Sequence, residues 1–125
     1  MGKLKEIRLD GTCSSGGALT VNATTPVFGR LFAVRWIDGD FANGVDSVIS
    51  VQGHEASATL LTLTDADNDA TYYPRVQVHG NTGSGLTLTT GSDAEMQLMA
   101  GVPRLVVSSG GNAKTGGCIL FYYED

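Results

Sequence analysis

The sequence predicts an all-β fold: a single-domain antiparallel β-sandwich over residues 1–125, jelly-roll-like, with about 8–10 strands and essentially no helix. Three observations predict it. No window repeats apolar residues at i, i+3, i+4 and i+7 over a dozen positions free of Gly, so no amphipathic helix is encoded. Short runs of alternating apolar and polar residues recur instead, with starts about 12–15 residues apart, the rhythm of a sandwich or barrel. The segments between them are rich in Asn, Asp and Gly, and Gly alone supplies 17 of 125 positions. A hydrophobic fraction of 42% is enough to build a core.

The first expected strand covers 5–9, with Ile7 and Leu9 inward, and the second 18–23. In 30–37, Phe32, Val34 and Trp36 share the inward face, while Arg30 and Arg35 share neither a face with one another nor a place in the core. In 45–52, Val45, Ser47, Ile49 and Val51 point one way and Asp46, Ser50 and Gln52 the other. A strand over 57–64 follows. In 71–78, Tyr72, Val76 and Val78 point inward and Tyr73, Arg75 and Gln77 outward, and Pro74 makes the segment an edge strand or a bulge. Further strands are expected at 86–90, at 94–98 with Ala94, Met96 and Leu98 opposing Glu95 and Gln97, at 102–108, and at 117–123. The last is distinctive because both faces are apolar: Cys118, Leu120 and Tyr122 on one side, Ile119, Phe121 and Tyr123 on the other. Such a strand is central and covered twice, or its outer face meets another subunit. Asp38-Gly39 and Asn43-Gly44 are turn dipeptides that permit positive φ.

Charge excludes several classes of function. Eight Lys and Arg face 13 Asp and Glu, a net charge of −5, and the one basic cluster is Lys3, Lys5 and Arg8 with Glu6 inside it. Nucleic-acid binding needs a basic footprint to displace counterions, so no nucleic acid is expected as a partner. No apolar run approaches the ~18–20 residues that span a bilayer, and no apolar segment suited to a secretory signal follows the start, so a soluble protein made in the cytoplasm and independent of membranes is expected. Cys13 and Cys118 are then expected as reduced thiols. Charged residues make up 17% of the chain, against about 25% in an ordinary soluble domain. The surface is therefore coated with hydroxyls and amides, or is partly covered by a partner.

The candidate chemical motifs fall short one by one. Asp65-Ala66-Asp67-Asn68-Asp69 copies the first five positions of a calcium loop, in which alternating carboxylates wrap a hard cation. Ala70 stands where the loop needs Gly and Val76 where it needs Glu, so the segment reads as a hairpin turn and no metal is expected. Asp65, Asp67 and Asp69 gain force as ligands only if Asp38, Asp40 or Asp46 converge on them. Gly110-Gly111-Asn112-Ala113-Lys114-Thr115 hints at a phosphate loop but lacks Gly before the Lys and precedes a strand. No Gly-x-Ser-x-Gly elbow occurs, and His54 and His79 flank loops. These residues predict no catalytic site and no cofactor. Trp36 with Asp38 and Asp40 offers an alternative, a platform for stacking a sugar, although the parity of Trp36 favours a core position. Phe41, in the loop itself, caps the sandwich end or sits at a contact. Lys3, Lys5 and Arg8 form either a solvated first strand or an arm for an acidic partner.

Three phrases carry a resemblance: Gly29-Arg30-Leu31-Phe32-Ala33-Val34-Arg35-Trp36-Ile37-Asp38-Gly39-Asp40-Phe41-Ala42-Asn43-Gly44-Val45-Asp46, then Leu60 to Asp69 with Tyr72-Tyr73-Pro74-Arg75, and Gly110 to Cys118. In these the chain resembles small virion proteins of tailed bacteriophages, and in size and β-character their capsid cement or decoration proteins. The resemblance implies a structural, non-enzymatic protein on the phage head surface, oligomeric as a dimer or trimer, whose partner is the major capsid protein. It supplies no catalytic residues. The contact residues expected from the chain's own pattern are Lys3, Lys5, Arg8, Phe41, Ile119, Phe121 and Tyr123. The alternative is a carbohydrate-binding module on a tail or head fibre.

Overall fold

The structure is a computed structural model that describes residues 2–53, 57–77, 83, 87–88, 91–92 and 94–124. Among these there is no helix, and twelve strands follow in chain order: β1 (Leu4–Thr12), β2 (Leu19–Asn22), β3 (Val27–Ile37), β4 (Asp46–Gln52), β5 (Ser57–Leu63), β6 (Ala70–Tyr72), β7 (Val76–Gln77), β8 (Thr87–Leu88), β9 (Gly91–Ser92), β10 (Ala94–Glu95), β11 (Leu98–Ser108) and β12 (Thr115–Glu124). The expected all-β antiparallel architecture is what forms. His54, His79 and Val78 lie outside the described residues, as does most of the strand expected at 86–90.

Eight strands make one antiparallel sheet along the path β1-β12-β3-β11-β4-β5, with β2 added to β11 and β6 to β3. The sheet doubles over along β11. Leu98–Gly101 pairs with β3, whereas Val102–Ser108 pairs with β4 on one side and Arg104–Val107 with β2 on the other. Gly101, at φ +144 where the partner changes, adopts a backbone that a side chain would strain, and a Cβ there would run into the Gln52 carbonyl. The two halves close on one cluster of buried side chains. Leu9, Leu31, Val34, Trp36 and Leu120 come from one half, and Ile49, Val51, Leu60, Leu105 and Val107 from the other. Each large apolar side chain removed from water there stabilises the fold by about 1.5–3 kcal/mol.

The alternation within β12 and β4 is as the sequence predicts. Cys118, Leu120 and Tyr122 are buried, and Ile119, Phe121 and Tyr123 are half-buried on the other side. β12 is central, between β1 and β3. Val45, Ser47, Ile49 and Val51 are buried. Gly39 and Gly44 sit at φ +59 and +86, as their turns require.

Three expected strands are corrected. In β3, Phe32 leaves the inward face. Leu31 pairs with Tyr122 and Ala33 with Phe121, which leaves Phe32 as the extra residue of a β-bulge. The slip reverses parity, so Leu31 and Val27 are buried below it and Val34 and Trp36 above it. The segment 71–78 is cut at Tyr73–Arg75. β6 pairs with β3 and β7 with β10, and Val76 is exposed. The segment 94–98 is broken at Met96–Gln97, because the Gln97 carbonyl accepts the Leu31 amide at 2.9 Å and its side chain donates to the Leu60 carbonyl at 2.7 Å. The break resets the alternation: Leu98 turns outward and Met99 inward.

Candidate functional site

The outer side of the β1-β12-β3 half carries rows of side chains set by strand register. Arg8, Ile119, Arg35 and Thr71 lie across one row, Glu6 and Phe121 in the next, and Leu4, Tyr123, Arg30 and Leu98 in a third. Phe28 lies beyond them, opposite Ala100. Neighbours across strands touch and support one another, so each row acts as one surface. The bulge brings Phe32 into this surface. Its ring meets Tyr73 and Tyr123 edge-on, both at 5.7 Å between centroids, and the Arg75 guanidinium sits 5.7 Å from its centre. Arg75 also donates to the Phe32 carbonyl at 2.9 Å, which fixes the cation against the ring. Around this cluster Phe28 is 60% exposed, Tyr73 59% and Leu98 58%. These are large apolar groups held in water on ordered strands, the composition of a contact surface.

A second feature lies at the end of the sandwich where β3 turns into the 38–45 loop. Two acidic loops come together there, held by carboxylates that accept backbone amides. Asp69 Oδ1 accepts from the Asp38 amide at 2.8 Å, Asp67 Oδ1 from the Gly44 amide at 2.7 Å, and Asp46 Oδ1 from the Asp65 amide at 3.0 Å. Asp40 Oδ1 accepts the Thr115 amide at 2.5 Å and ties in the start of β12. The Thr115 amide holds the Asp40 carboxyl below the ordinary aspartate range. Asp38 is pushed the other way, by burial and then by the charges of Asp67, Asp69 and Asp40, and its Oδ1 is buried without a hydrogen-bond partner among the described residues.

A cation site needs Asp38, Asp40 or Asp46 to converge on Asp65, Asp67 and Asp69. The loops do converge, but Asp40, Asp46, Asp67 and Asp69 each spend a carboxylate oxygen on a backbone amide. Among the described residues no three of His, Cys, Asp or Glu stand close enough to share a metal ion. The motif therefore acts as a set of loop staples, with Asp65 itself at φ +50, a backbone that Asp tolerates.

Trp36 takes the core position that its parity favours and Phe41 caps the end of the core, so the surface roles offered for both as alternatives are corrected. Trp36 is fully buried, donates its indole N–H to the Ala66 carbonyl at 2.9 Å, and stacks on Phe41 at 5.7 Å. Phe41 is 5% exposed and closes the end of the core, so it offers no contact surface, and Trp36 offers no platform to a sugar. Lys3, Lys5 and Arg8 are exposed. Lys5 pairs with Glu124 at 3.1 Å and Arg8 with Asp10 at 2.7 Å. The cysteines are free and buried. Cys118 lies opposite Leu9, four positions before Cys13, a separation of roughly 13 Å along a strand and beyond disulfide reach. Burial, then the charge of Asp10, pushes the Cys118 thiol up to about 12, which leaves it inert.

Sequence reasoning turned Tyr73 and Arg75 outward and kept Arg30 out of the core, but it missed Phe28 and Leu98 as surface groups and did not bring the five together. A signal was present in β3. Two arginines five positions apart in one strand have opposite parity, and both reach water only if the strand slips by one residue between them, as it does at Phe32.

No protein-family model matches the chain, and no curated protein matches it. Among solved structures it is similar to the crystal structure of FLHE, at 13% identity and a TM-score of 0.42, over 99% of this chain and 100% of that one.

Proposed function

We propose that the chain is a structural virion protein, a cement or decoration protein that binds the outside of a tailed-phage head and staples neighbouring major capsid subunits. It would be made in the host cytoplasm and act without a cofactor. One observation carries this reading: the central strand β12 turns Ile119, Phe121 and Tyr123, each half-buried, to the side of the sheet opposite the core. Exposed Lys3 and Arg8 rim the β1 side of this strip. The resemblance of three sequence phrases to phage virion proteins is what suggests the partner. Repetition of a modest contact over a symmetric shell gives avidity without any single strong site.

Purified protein mixed with heads that lack it should bind stoichiometrically and raise their resistance to heat. Absence of either effect overturns the proposal. The double variant Ile119→Thr/Phe121→Thr keeps β-branched or small side chains on an outward face, so it should fold normally by circular dichroism. Its binding should fall by tenfold or more, about 1.4 kcal/mol or beyond, as expected when central apolar anchors are lost.

A further inference from the structure

We infer that copies of this chain associate head to tail, the acidic loop end of one copy seating on the patch of Phe28, Arg30, Phe32, Tyr73, Arg75 and Leu98 of the next. This deepens the reading above by supplying a contact between neighbouring copies. It uses the β3–β6 side of the sheet face, leaving the β1–β12 side for the capsid.

Charge is separated along the molecule. The loop end gathers six aspartates, Asp38, Asp40, Asp46, Asp65, Asp67 and Asp69, with Lys114 and Arg35 as the cations beside them. The patch holds Arg30 and Arg75, and among the described residues neither forms an ion pair. Each aspartate that accepts an amide through Oδ1 still presents a negative charge to its surroundings. The loops are held rigidly by those same bonds, so little ordering cost attends their docking. The aromatic groups between Arg30 and Arg75 give an incoming loop apolar area to cover, with the two cations at its rim.

Symmetry selects the head-to-tail arrangement. A two-fold contact through the patch would set Arg30 and Arg75 against the same residues of the partner, and a two-fold contact through the loop end would set aspartates against aspartates. Only the heterologous pairing brings opposite charges together. Such a contact is small and partly ionic, so it is weak, strengthened by concentration and weakened by salt.

Analytical ultracentrifugation of the full chain tests this. At low ionic strength, ~0.02 M, the average mass should rise above 13.0 kDa with concentration, and it should return toward 13.0 kDa at ~0.5 M salt. Two variants separate the surfaces. Arg30→Gln/Arg75→Gln removes the patch cations. Asp65→Asn/Asp67→Asn/Asp69→Asn removes three charges from the loop end but keeps a carbonyl oxygen where the Asp67 and Asp69 carboxylates accept amides. Each alone should remain at 13.0 kDa, with an unchanged circular dichroism spectrum. The aspartate variant lowers the net negative charge, so its loss of association cannot come from greater overall repulsion. Mixed together, the two retain one intact patch and one intact loop end, and should form a dimer of twice 13.0 kDa and nothing larger. A wild-type protein that stays monomeric, or a mixture that does not complement, overturns the inference. Head binding is measured separately. Head binding by a wild-type protein that shows no self-association would sink this inference alone, whereas self-association without head binding would sink the cement reading alone.

Discussion

Trp36 shows how one residue can serve the fold and thereby lose a role at the surface. Its ring fills the core beside Phe41, and its one polar atom is satisfied by the Ala66 carbonyl, which belongs to the acidic 64–69 loop. That hydrogen bond pins the loop to the core from below, while Asp67 and Asp69 pin it to the 38–45 loop from the side. Trp36→Phe keeps an aromatic ring but removes the donor, leaving a buried carbonyl unpaired and a gap beside it. A loss of about 2–4 kcal/mol is expected, from one unsatisfied buried acceptor plus lost packing. Urea unfolding followed by circular dichroism measures it, since this substitution removes the single Trp. A loss below about 0.5 kcal/mol, the range of ordinary surface substitutions, would show that the bond contributes nothing.

At the scale of elements, what the sequence made legible followed period two, and what it hid followed interruptions of that period. β12 and β4 run without a break on their core-facing side, so their faces could be read residue by residue. β3, β6–β7 and the approach to β11 each contain an interruption, and every misassigned side chain, Phe32, Val76 and Leu98, lies next to one. A bulge depends on which strand lies alongside, and no local propensity announces it. The pairing of β3 with β12 is also close enough to exclude a methyl group. A Cβ on Gly29 would collide with the Tyr123 carbonyl and come within 3.1 Å of Glu124 Cα, both backbone atoms that cannot turn aside. Gly29→Ala should therefore cost about 3 kcal/mol, as in severe overpacking. Gly16→Ala, whose added group meets nothing nearer than Ser14 Oγ at 3.9 Å, should stay within about 0.5 kcal/mol. Equal losses in chemical denaturation would contradict the steric reading.

Over the whole molecule, the meeting of the two acidic loops is legible in the sequence only as a condition, because Asp38 and Asp69 stand thirty-one residues apart and the antiparallel pairing of β3 with β6 joins them. That meeting gives the stability a definite dependence on pH. Asp38 has its folded pKa raised above 3.8 by burial and by its acidic neighbours, so its ionised form is a burden that is relieved as pH falls through that raised value. Asp40 has its folded pKa lowered below 3.8 by the Thr115 amide, so its contribution is complete above 3.8 and is lost as pH falls through the lowered value. The net charge of −5 adds a general repulsion that fades toward the pI near 4.8. The three effects act in one order on acidification: relief of Asp38 and of overall repulsion first, release of Asp40 and the end of β12 afterward. The urea midpoint should therefore rise from pH 7 to about the pI and fall steeply below 3.8. Asp38→Asn should raise the midpoint at pH 7 and flatten the rise, while leaving the acid collapse in place because Asp40 is untouched. Asp40→Asn should do the converse, weakening the protein at pH 7 and making the fall below 3.8 shallower. A stability that only declines from neutrality, with the same shape in both variants, would mean that the carboxylates at this end titrate without regard to the bonds they accept.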